Sequence, residues 1–191
     1  MKQMALSLLS LALTLSSCEK EGVDALPKAT QKGLNKMGCL VDGKAWLPYR
    51  DPVQQGGNRP PMVAYWQRRE QGRVSLTMLF MRNTRPKRFG SLVYLFVRDI
   101  TGPSTLALDQ PANPQLTSAN PAYGAFINTD ETPDLDYLTG PTATGHLTIT
   151  RFDTTARVAS GTFAFTGRAD DNSGRTVQVS EGRFDVQLER R

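Results

Sequence analysis

Between Arg73 and Arg82, apolar side chains fall on every second position: Val74, Leu76, Met78 and Phe80. A two-residue period is the signature of a β-strand, because successive side chains leave the backbone on opposite faces. The alternate set, Ser75, Thr77, Leu79 and Met81, is not fully polar, which predicts a second face that is also partly covered. Ser91 to Arg98 is apolar at almost every position and predicts a strand buried on both sides. Met62 to Arg69 alternates in part, with Val63 and Tyr65 on one side and Trp66 on the other. The last third repeats the pattern. Ala159 to Thr166 and Thr176 to Leu188 read as two antiparallel strands flanking the turn Ala169 to Arg175. In the final strand Phe184, Val186 and Leu188 point inward, and Arg183, Asp185 and Gln187 point to solvent.

Shorter strands are predicted at Thr105 to Leu108, Gly124 to Asn128 and Gly145 to Arg151. Asp42-Gly43, between Cys39-Leu40-Val41 and Lys44-Ala45-Trp46-Leu47, is a strong two-residue hairpin signal. That hairpin is expected to cover one edge of the core and to bury Trp46. No stretch beyond the first twenty residues keeps a 3.6-residue period over several turns. The fold class is therefore all-β: a single domain, either an antiparallel β-sandwich or an open β-barrel, with most prolines in loops.

The start of the chain follows a different rule. After Lys2, no charged residue occurs until Glu19, and leucines dominate from Leu6 to Leu15. The run is as long as the apolar region of a signal peptide, and short of the roughly 20 residues that span a bilayer. It ends in Leu15-Ser16-Ser17-Cys18, which resembles the lipobox of bacterial lipoproteins. The resemblance implies diacylglycerylation of the Cys18 thiol, cleavage before it, and anchoring by lipid in the cell envelope, most naturally at the outer membrane. Two or three acyl chains hold firmly, since each buried methylene contributes roughly 0.8 kcal/mol. Acidic Glu19 and Glu21 are similar to a surface-export signal of some Bacteroidota lipoproteins, so periplasmic and cell-surface display both stay open. Residues 1–17 are thus read as a signal peptide, 18–36 as a lipidated flexible tether, and 37–191 as the β-rich domain.

Composition narrows the function classes. The 191-residue chain carries a formal charge of +5, spread along its length, and loses one positive charge with the leader. That pattern does not suggest a nucleic-acid partner. With Cys18 lipidated, Cys39 has no partner in the chain, so the domain is expected to be free of disulfides, with Cys39 a small buried residue. The segments Ala29 to Gly33 and Gly38 to Trp46 resemble the opening, and Ser160 to Phe165 with Gly182 to Val186 the close, of a family of uncharacterised Bacteroidota lipoproteins. The family implies an exported β-rich domain and no established activity.

Catalytic chemistry has little to stand on. His146 is the only histidine, faces the solvent side of its predicted strand, and has no nucleophile motif beside it. No cofactor or metal is expected. One histidine and one free cysteine are too few soft ligands, and Asp130, Glu131, Asp134 and Asp136, like Asp170 to Gly174, lack the spacing of a calcium loop. The Asp170 turn reads as an Asx-type hairpin turn, and the earlier cluster, Asp130 to Asp136, as a solvated loop. Arg82, Arg85, Lys87 and Arg88 form a solvated basic turn that suits anionic head groups or polysaccharide. The reading is a non-enzymatic envelope lipoprotein that binds a partner or joins a surface assembly with another envelope protein. The alternative is binding of a small apolar ligand or a carbohydrate, with Tyr65 and Trp66 as the candidate contact pair.

Overall fold

A computed structural model describes residues 22–50, 60–83, 90–113, 119–131 and 134–191. Twelve strands form one large mixed sheet: β1 Lys36–Val41, β2 Lys44–Trp46, β3 Met62–Arg68, β4 Val74–Arg82, β5 Ser91–Val97, β6 Ser104–Ala107, β7 Tyr123–Asn128, β8 Leu135–Leu138, β9 Gly145–Asp153, β10 Val158–Ala169, β11 Thr176–Gln187 and β12 Glu189–Arg190. Their order is β12-β3-β4-β5-β7-β8-β10-β11-β1-β2, with β9 on β10 and β6 on β9. All the strand pairs are antiparallel except β12 with β3.

The sheet curls around one continuous core to which both halves contribute. Trp66, Leu76, Met78, Phe80, Val93 and Leu95 come from one half; Phe163, Phe165, Val179, Phe184 and Val186 come from the other. Two narrow seams join the halves. At one, β8 meets β10 only at Leu138–Arg168 and Tyr137–Ala169. At the other, β12 follows β11 after a single residue and pairs with β3 only at Glu189–Tyr65 and Arg190–Trp66. The result is an open, sandwich-like β-barrel. The expected fold class stands.

Alternation along the strands puts the predicted residues where it should. Val74, Leu76, Met78 and Phe80 face the core, and β5 is covered on both sides, with Val93, Leu95 and Val97 inward and Phe96 buried on the other face. The Asp42-Gly43 turn has φ of 48° and 77°, the left-handed pair that a tight hairpin needs. Trp46 is buried and donates its indole N–H to Ser91 Oγ at 2.8 Å, tying the hairpin edge to β5. At Gly161 of β10 a Cβ would overlap the carbonyl oxygen of Thr148 on β9 and lie 2.9 Å from the Phe184 ring. Only glycine allows that approach.

Three expectations need correction. The acidic stretch around Asp134 contains a strand, β8, because Leu135 and Tyr137 alternate into the core. A two-residue alternation is too short to stand out in the sequence. Next, residues 22–36 are not a free tether. They begin with a 3-10 turn, Gly22–Ala25, and cross the outer face of the sheet, with Leu26 buried against Gly38. Finally, Asp185 does not face solvent. It is 2% exposed, because that crossing segment covers it.

Candidate functional site

Cys18 lies outside the described residues. Tyr65 and Trp66 occupy adjacent positions on β3 and therefore opposite faces. Trp66 joins the core, and the Arg190 guanidinium lies 5.6 Å from its ring centroid. Tyr65 is half-buried on the outer face beneath Arg191, whose guanidinium is 4.1 Å from its ring. The two do not form one contact surface. Trp66 is spent on packing, and the C-terminal arginines cap both rings.

Tyr65 instead borders an aromatic layer on that outer face. Its cross-strand neighbour Thr77 pairs in turn with Phe96, and Phe96 with Tyr123. The Tyr123 ring lies 5.4 Å from Tyr94 and 5.7 Å from Phe96. Burial pushes the hydroxyl pKa of both Tyr94 and Tyr123 upward, so the layer stays neutral. Asn120 caps the layer's loop by bonding Asn113 in both directions, accepting its N–H at 2.8 Å and donating to its carbonyl at 2.5 Å. This layer accounts for the apolar outward positions Tyr94 and Phe96 of β5.

The most built polar feature is the Asp185 clasp. The carboxylate accepts from Thr30 Oγ1 at 2.5 Å, from the backbone N–H of Lys32 (3.0 Å), Gly33 (2.7 Å) and Leu34 (3.2 Å), and from Ser160 Oγ at 2.8 Å. Gly33 takes φ of 70°, which lets three successive N–H groups turn toward one carboxylate. Burial opposes ionisation of Asp185, but the bonds from Thr30, Ser160, Gly33 and Lys32 outweigh it and hold the pKa down to about 2. Two further contacts pin the strap: Arg183 donates to the Pro27 carbonyl and Arg151 to the Gln31 carbonyl, the latter at 2.6 Å. The clasp is a fastening with its acceptors satisfied, not a reactive group.

An open cleft of about 520 Å³ lies beside the start of β4. Val74, Ile100 and Phe152 form its apolar floor; Gln71, Arg73, Asp99, Thr101 and Thr154 supply polar groups. Arg73 and Asp99 pair across it at 3.4 Å. An apolar floor with an orienting charged pair is the ordinary composition of a small-ligand site. The sequence hid it, because its residues come from three separate stretches of the chain.

The two acidic clusters meet in space. Arg175 bonds Glu131 at 2.6 Å and Asp171 at 2.8 Å, while the Asp170 N–H bonds the Asp136 carbonyl. Asp171 also accepts the Ser173 N–H, as an Asx turn should. Burial, then Asp170 and Asp134, raise the Asp136 pKa. Among the described residues no group of three or more His, Cys, Asp or Glu is placed to hold a metal. His146 is exposed on β9, and Cys39 is fully buried, its thiol pushed up to about 12 by burial. Arg85, Lys87 and Arg88 lie outside the described residues.

Comparison of the chain with protein-family models, with curated proteins and with solved structures found no match to any of the three.

Proposed function

We propose that the protein is a lipid-anchored, non-enzymatic lipoprotein of the cell envelope whose β domain works by binding. One observation carries this reading: a charge-free, leucine-rich leader ends in Leu15-Ser16-Ser17-Cys18 and gives way at once to charged residues. The resemblance of both ends of the chain to Bacteroidota lipoproteins agrees with it. Anchoring at the outer membrane follows from that class of protein, with either face of the membrane available. The decisive test is incorporation of a labelled fatty acid in a bacterial host. Cys18→Ala should abolish labelling and leave the leader attached, and persistent labelling would refute the assignment.

A second reading, carbohydrate binding, is favoured by the cleft of Val74, Ile100 and Phe152 with Arg73 and Asp99 at its rim. Apolar surface for a sugar face and a charged pair for its hydroxyls are both at hand there, which Tyr65 and Trp66 do not offer. A glycan array probed with the intact protein and with Phe152→Ala tests it. Binding that survives the substitution unchanged, or no binding by either form, removes this second reading.

A further inference from the structure

We propose that the corner formed by the 3-10 turn Gly22–Ala25 and the residues just after β2 rests on the phospholipid bilayer, with Val23, Leu47 and Tyr49 as its interfacial contacts. The inference rests on the lipid-anchor reading and adds an orientation to it.

Three observations converge on this corner. The first is covalent reach. Gly22 is four residue steps from Cys18, and an extended chain covers at most ~3.6 Å per step, so Gly22 lies within about 14 Å of the acylated residue. The second is rigidity beyond that point. The strap is fastened by Leu26 over Gly38, by Arg183 on the Pro27 carbonyl and by the five bonds to Asp185, so the domain cannot swing away on a long tether. The third is the surface itself. The turn packs against β2, and the chain leaves β2 directly into Leu47-Pro48-Tyr49.

Among the described residues four large apolar side chains are classed as exposed, and three of them are here: Val23 at 44%, Leu47 at 37% and Tyr49 at 49%. Residues 47 and 49 are held in place by Trp46 on Ser91 and by Tyr49, whose N–H bonds the Met81 carbonyl and whose carbonyl accepts the Asn83 N–H. A rigid backbone therefore presents them at fixed positions. Aliphatic side chains beside a tyrosine suit the membrane interface, where the ring body is buried and the hydroxyl stays wet. Asp24 and Asp42 offset Lys28 and Lys44, while Arg50 follows Tyr49 and Arg82 bridges to it, so attraction to anionic lipid adds to the apolar contact.

The full-length protein, produced with its acyl chains and reconstituted into vesicles of phosphatidylethanolamine and phosphatidylglycerol, provides the test. Leu47→Cys and Val23→Cys carry a nitrobenzoxadiazole label, with Thr105→Cys as the reference. Thr105 is exposed on β6, five strand spacings from β2, or about 24 Å along the sheet. Buried Cys39 leaves the introduced thiol as the labelling site. We expect blue-shifted emission at 47 and 23, with quenching by doxyl-labelled phosphatidylcholine several-fold stronger than at 105. Equal, weak quenching at all three positions, with fatty acid still attached to Cys18, overturns the orientation and leaves the anchor reading standing. A blue shift insensitive to the lipid quencher assigns the corner to a protein contact and overturns it as well. Protein lacking the acyl chain would defeat the anchor reading, and this inference with it.

Discussion

Replacing Asp185 with alanine should release the strap of residues 26–34 from the sheet while leaving the core intact. The carboxylate is 2% exposed and accepts five hydrogen bonds, three from consecutive backbone N–H groups. Its pKa falls from 3.8 to about 2 on folding, which corresponds to roughly 2 kcal/mol of stability at neutral pH. Removing it also orphans the Lys32, Gly33 and Leu34 N–H groups, each costing on the order of 1–3 kcal/mol if they stay buried. Detachment lets those groups hydrate and limits the loss, so we expect a total of about 2–4 kcal/mol.

Denaturant unfolding followed by Trp46 and Trp66 fluorescence measures the loss, and amide exchange at Gly33 reports detachment. The pH dependence supplies a further signature. Because the folded pKa is depressed, the contribution is complete above about pH 4 and disappears as pH falls through about 2. The gap between native protein and variant should narrow over that window. A loss below about 0.5 kcal/mol with the Gly33 amide still protected would refute the account, since that is the range of an ordinary surface substitution.

Gly161→Ala should destabilise by more than about 2 kcal/mol, because the obstacle is the Thr148 backbone and not a flexible side chain; thermal unfolding checks this. Deleting Glu189–Arg191 should open the β12–β3 seam, uncover Trp66 and Tyr65, and expose the β3 edge; an unchanged midpoint with no self-association by light scattering would contradict the seam's role. Cys39 should resist thiol reagents at pH 8 in the folded protein and react promptly in denaturant, since burial keeps its thiol protonated; fast native-state labelling would contradict that burial.

Much of the fold was legible in the sequence, because alternation is a local property. The faces of β4, the double burial of β5, the Asp42-Gly43 hairpin and the β10–β11 pair all follow from the two-residue period and turn chemistry. Exposed His146 and buried Cys39 and Trp46 followed by the same reasoning. Alternation says which residues share a face, but not what lies over it. It separated Tyr65 from Trp66 correctly, yet only the curl of the sheet made the Trp66 side the interior. It placed Asp185 on the outward side, yet could not show Thr30 to Leu34 arriving from more than 150 positions away. The cleft of Arg73, Asp99 and Phe152 was invisible for the same reason.

The sequence by itself therefore determined the all-β class and the two faces of most strands. Each depends on residues a few positions apart. Tertiary structure alone decided that the expected tether is a clasped strap, that the C-terminal arginines cap the candidate aromatic pair, and that the sheet stays an open barrel joined at two narrow seams. Those outcomes depend on which distant segments meet, and so on the energetics of the whole core. No window of sequence contains that information.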